Sequence, residues 1–178
     1  CGTFNFQHDH VSIGADQTSV QRVAVFEFNF DRPERGRIER GKIERPANAG
    51  EVVAEIFAEH LLGTGLYQIV GKERMESIMR QHDLQPADLL ALPDWKRIHD
   101  LLGVDGIVLG VVSEYGDWRS RLNWGGVSIF TARLVNVASG DVVWSVSVNH
   151  NTALVNAAAA THAGAESATT KLLTSIRQ

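Results

Sequence analysis

The chain has 178 residues, a formal net charge of −4 and 44% hydrophobic residues, which suits one domain with a real core. No basic surplus is available to neutralise phosphates, so the composition carries no nucleic-acid footprint. A single cysteine rules out an internal disulfide, and no apolar run approaches the roughly 20 residues of a membrane-spanning helix.

In chain order the first informative residue is Cys1. It is the only cysteine, and no initiator Met precedes it. A lone cysteine at a mature amino terminus resembles a processed bacterial lipoprotein, whose thiol carries a diacylglycerol and whose amine is acylated. One acyl chain binds a membrane marginally, and two or more hold stably. The competing reading makes position 1 a truncation boundary. Gly2 in place of an aspartate favours the outer membrane. Residues 2–18 are polar apart from Phe4 and Phe6, and read as a tether within a lipidated segment 1–20; Phe4 and Phe6 alternatively form an edge strand against a neighbouring subunit. Residues 21–178 are the expected folded domain.

Arg22 to Phe30 is rich in β-branched and aromatic residues and reads as the first strand, with Ala24, Phe26 and Phe28 on one face. Asp31 to Pro46 is densely charged and holds the echo Arg35-Gly-Arg-Ile-Glu39, Arg40-Gly-Lys-Ile-Glu44. Its glycines and flanking prolines argue for a loop or short exposed hairpin. Val53, Ile56, Phe57 and Leu61 recur at helical spacing within Asn48–Leu62, opposite Glu51, Glu55 and Glu59. A short strand, Leu66–Val70, and a short amphipathic helix, Lys72–Gln81, follow. Asp94 is positioned to cap a helix that Gly103 stops.

Gly106–Val112 is almost wholly apolar, as in a strand covered on both faces. Val127–Val137 and Asp141–Asn149 are longer strands joined by the tight turn Ala138-Ser-Gly140, where Gly140 supplies positive φ. In the second of these, Val142, Trp144, Val146 and Val148 fall on one face. An alanine-rich helix closing on Leu172, Leu173 and Ile176 ends the chain. The fold class is α/β (α+β): a mixed sheet of about five strands with helices packed on it in two or three layers.

No catalytic set emerges. His8 and His10 stand two apart without an evident third metal ligand, and His60, His82, His99, His150 and His162 are scattered. Val70-Gly-Lys72 lacks the rest of a phosphate loop, and no nucleophile elbow exists. Asp100 and Asp105 suit capping and turns. The chain is therefore read as a non-enzyme with no metal and no cofactor beyond a covalent lipid. Two patches are candidate contacts: the charged segment, with Arg35, Arg37, Glu39, Arg40, Lys42 and Glu44, and the Trp118, Arg119, Arg121, Trp124 patch, whose residue types favour binding hot spots and membrane interfaces. The structural alternatives are a solvated loop and tryptophans folded back over the sheet.

VAVFEF, GLYQIVGKERMESIMRQ, LLGVDGIVLGVV and ARLVNVASGDVVWS occur here in the order found in the CsgG-like lipoproteins, and the chain resembles that family over roughly Arg22–His150 plus the last helix. The hairpin around Asn136–Asp141 is the most specific piece; Glu73 and Arg74 match a second motif. The resemblance implies a periplasmic domain held at the outer membrane by lipid, homo-oligomeric and possibly ring-forming, serving secretion or assembly as a scaffold with other envelope proteins. More distant members, LpoB and the TolB amino-terminal domain, suggest the alternative of a tethered cell-wall-synthase regulator. About 17 residues of tether, at no more than ~3.5 Å each, reach only ~60 Å, which disfavours it. A CsgG-type channel is a further alternative. Its spanning hairpins need about 9–11 alternating residues per strand, and Ser113–Gly126 is short and charged.

Overall fold

The computed structural model of the chain describes residues 5–14, 17–30, 42–85, 88 and 94–178. The described strands are β1 (Phe6–Ile13), β2 (Arg22–Val25), β3 (Asn29–Phe30), β4 (Lys42–Glu44), β5 (Gln68–Val70), β6 (Gly106–Arg119), β7 (Trp124–Asn136) and β8 (Val142–Ala153). The helices are α1 (Ala49–Gly63), α2 (Lys72–Gln81), α3 (Trp95–Leu102) and α4 (Ala157–Ile176). All eight strands join one mixed sheet in the order β1-β8-β7-β6-β2-β5, with β3 and β4 also on β6. One edge of β6 is thus met in turn by β2 at Gly106–Val108, β3 at Val111–Val112 and β4 at Asp117–Arg119.

Alternation along the strands splits the core into two layers. Val23, Val108, Leu134 and Trp144 face α1 and α4, while Ala24, Ile107 and Val135 face α2 and α3. Phe57 of α1 meets Phe28, Phe130 and Trp144 with ring centroids 6.0–6.1 Å apart. The Trp144 indole donates to the Tyr67 hydroxyl at 2.9 Å, so its one polar atom is paired inside the core. The helix limits follow local chemistry. Asp94 accepts from the Arg97 amide at 3.1 Å, and Gly103 closes α3 at φ 63°. Gly140 takes φ 77° in the β7–β8 turn.

Three expectations are corrected. The segment read as a tether contains β1, which pairs antiparallel with β8 from Phe6↔Asn151 to Ile13↔Trp144 in the same chain. The single strand Arg22–Phe30 is broken. The Phe28 amide leaves the ladder to donate to Gly50 O at 3.2 Å, and Phe26 and Phe28 enter opposite cores. Val142 is 38% exposed, because a bulge between Leu134 and Val135 in the β7–β8 register puts Val143 into the core beside Trp144. With β1, β3 and β4 added, the sheet is wider than the five strands expected.

Candidate membrane-facing and assembly surfaces

β6 and β7 run beyond the helical layers as a hairpin whose turn, residues 120–123, is closed by the Ser120 amide on Asn123 O at 2.8 Å. Leu122 at this tip is 98% exposed and Trp124 45%; Arg119 and Arg121 are exposed beside them. Trp118 does the opposite. Its indole donates to Asn151 Oδ1 at 2.9 Å, and its ring lies over Gly125, where a Cβ would come within 2.6 Å of it. The two tryptophans singled out in the sequence therefore divide, one folded back on the sheet and one presented to the outside.

The amino-terminal end of β1 reaches this same end of the sheet. Asn5 Oδ1 accepts from the Ala153 amide at 3.0 Å, Ala153 is the register partner of Gly125, and the Leu154 amide donates to Trp124 O at 2.9 Å. Phe6, Leu122, Trp124 and Leu154 make four of the seven exposed large hydrophobics among the described residues. Scattered single apolar residues are ordinary, but four at one end with two arginines form a patch. Cys1 precedes Asn5 by four positions and lies outside the described residues.

Arg35, Arg37, Glu39 and Arg40 also lie outside the described residues. Lys42 stands in β4 opposite Arg119, and the exposed Glu44 opposite Asp117, so this end of the charged segment starts beside the hairpin tip. Next to it Arg45 grips Glu114 with two of its nitrogens, Nε to Oε1 at 2.6 Å and Nη2 to Oε2 at 2.9 Å. That bond raises the Arg45 pKa further. Asp117 Oδ1 accepts from the Ala157 amide at 2.7 Å and so anchors the start of α4.

Sequence reasoning missed two histidine contacts. His150 Nε2 lies 2.8 Å from Asp9 Oδ1, with side chains 3% and 5% exposed, and Lys171 Nζ sits 3.9 Å from the other carboxylate oxygen. His60 and His162 join α1 to α4 at 3.0 Å. Each pair spans more than 100 positions, so no local spacing could have signalled it. No group of three or more His, Cys, Asp or Glu suited to a metal occurs among the described residues, and no described helix is long and apolar enough to cross a membrane.

At the β5 edge, α1, α2 and β5 enclose an open groove of about 660 Å³. Its floor includes Val25, Ala58, Ile69 and Met75, and five carboxylates face it: Glu27, Glu51, Glu55, Glu59 and Glu76. Lys72 crosses the groove to Glu51 and, at 2.8 Å, to Glu55, bonds that raise its pKa. Among the described residues, nothing in the groove aligns an acid, a base and a nucleophile.

Known proteins agree with this architecture. The PelC dodecamer from Paraburkholderia phytofirmans superposes with a TM-score of 0.64 at 16% identity, covering 94% of this chain and 98% of that one. Lipoprotein GNA1162 from Neisseria meningitidis gives 0.59 at 20% identity, over 75% and 84%. LpoB of E. coli is a weaker likeness, 0.47 at 14% identity, over 75% of this chain and 58% of that one. At such identities the likeness to PelC and GNA1162 is one of fold alone. No curated protein sequence matches the chain. The family model of the curli production assembly/transport component CsgG spans residues 14–172, which takes in β2–β8 and the helices almost to the end of α4, and the chain belongs to that family.

Proposed function

We propose that the protein is a lipid-anchored, non-enzymatic subunit of a homo-oligomeric ring on the periplasmic face of the outer membrane, acting in secretion or assembly. The observation that carries this is the convergence of the amino-terminal strand and the exposed hairpin tip at one end of the sheet. With an acylated Cys1, the anchor and the Leu122, Trp124, Arg119, Arg121 patch face one bilayer together. Tryptophan suits the headgroup level, and arginine suits anionic headgroups. Membership of an assembly/transport family and likeness to a protein that forms a dodecamer support the oligomeric part. Confinement by lipid raises local concentration, so modest side contacts suffice to close a ring.

A long-reach regulator is disfavoured more strongly than the sequence suggested. With Cys1 as the acylated residue, the packing of β1 on β8 leaves only positions 1–5 as tether, no more than ~18 Å. The charges on the hairpin also argue against a barrel, since Glu114 lies on one side of β6 and Asp117 and Arg119 on the other.

The test is native mass spectrometry of membrane-extracted protein, with intact mass read on the same sample. The expected result is a triacylated terminus and a high-order oligomer; a strict monomer in lipid-mimicking detergent overturns the ring. For the membrane-facing tip, Leu122→Ser/Trp124→Ser in protein bearing Cys1→Ser should leave the melting temperature unchanged and lower binding to vesicles containing phosphatidylglycerol several-fold. Undiminished binding refutes that orientation.

A further inference from the structure

The layer of α2 and α3 covers only part of its face of the sheet. It covers the region of Ile107 and Val135, and Leu109 marks its border. Beyond it, cross-strand rows run Leu109, Arg133, Ser145, Ser12 and then Val111, Thr131, Ser147, His10, followed by Ile129, Asn149, His8. No described helix lies over these rows. Val111 is 42% exposed. Arg133, His8 and His10 are exposed here, and the carboxylate on the same side of β6, Glu114, is already taken by Arg45. The bare face is therefore basic to neutral, with apolar spots.

The groove at the opposite end of the strand order has the complementary character. Its floor is apolar, five carboxylates face Lys72 and Arg80, and Leu62 beside it is 57% exposed. Glu59 there and Arg133 on the bare face have no hydrogen bond or ion pair among the described residues. Both surfaces flank the strands sideways, away from the hairpin tip.

We propose that these are the two halves of a head-to-tail contact between copies of this chain: the α1–α2 groove of one copy receives the β1 edge and bare sheet face of the next. The inference rests on the assembly reading above and assigns its interface. Two different patches in contact give a heterologous interface, which closes into a ring when the rotation closes. Because both lie to the sides of the sheet, successive copies stand with their strands upright. Every hairpin tip and every amino terminus then stays at the same end, as a flat membrane requires. Opposite charge across the contact sets the register and suppresses wrong pairings.

Charge reversal tests it in the full chain. Glu59→Lys and Arg133→Glu are both exposed, so each variant should keep the wild-type circular dichroism and melting temperature. Each alone should weaken assembly by roughly tenfold or more in native mass spectrometry at near-physiological salt, and the double variant should recover most of the loss. A wild-type oligomer unaffected by either reversal refutes this interface and leaves the ring standing. A monomeric wild type refutes both. Single reversals that weaken assembly without recovery in the double variant refute the pairing of these two surfaces and point to separate partners for each.

Discussion

Removing the Asp9 carboxylate should do more damage than its position on an edge strand suggests. Its side chain is 5% exposed, and His150, 3% exposed, has its Nε2 satisfied by Asp9 while Nδ1 has no partner. In Asp9→Ala the imidazole loses its only polar contact among the described residues, and Lys171 loses a carboxylate 3.9 Å away. Breaking one half of a buried pair typically costs 3–5 kcal/mol, and stranding a buried polar group 1–3 kcal/mol. We expect about 3 kcal/mol. For a chain of this size that is a fall of roughly 6–12 °C in melting temperature, measured by calorimetry in detergent. Hydrogen exchange should rise first in Phe6–Ile13. His150→Leu in the Asp9→Ala background should cost far less than the two single changes summed, because the residue stranded by the first is removed by the second. A loss under about 0.5 kcal/mol, or strict additivity, refutes the argument.

Three further outcomes follow from the packing and the charges. Gly164→Ala should destabilise by about 1 kcal/mol: the new methyl collides with Val148 in the core, which outweighs the roughly 1 kcal/mol gain in helix propensity. Thermal melts decide the sign, and stabilisation would refute the close approach of α4 to β8. Arg45→Ala should cost about 1–2 kcal/mol and raise hydrogen exchange in Lys42–Glu44, because the bidentate grip on Glu114 holds β4 against the hairpin. Burial pushes the hydroxyl pKa values of Tyr67 and Tyr115 above their usual 10, and the nearby Asp117 carboxylate raises Tyr115 further. The folded state holds these protons more tightly, so stability is full below pH 10 and falls as pH rises beyond it. Phenolate absorbance should therefore appear late and together with unfolding; a normal titration at pH 10 in the folded protein contradicts this.

What the sequence disclosed was what periodicity and punctuation can encode. The α1 stripe Val53, Ile56, Phe57, Leu61 is buried as the spacing predicts, and Asp94, Gly103 and Gly140 perform the local roles assigned to them. β1 was hidden because its inward positions read Asp9, Val11, Ile13, and a carboxylate on a core-facing position breaks the apolar alternation. Only the distant His150 and Lys171 make it acceptable there. β3 and β4 are too short to carry a pattern and exist because β6 offers an edge. The tip of the candidate membrane surface was legible from the residue types of Trp118 to Trp124. That Trp118 turns inward depends on Gly125 and Asn151, and that the amino terminus joins the same end depends on a pairing across nearly the whole chain.

That pairing also dictates an order of events. Phe6 meets Asn151, so β1 finds its partner only across nearly the whole length of this chain. It stays unpaired until β8 is in place, the kind of long loop closure that slows folding. Meanwhile an adjacent copy that is still folding offers an identical β8, and exchange of this strand between neighbours competes with closure on its own body. Swapped pairs should therefore gain ground over monomers as the protein concentration during folding rises.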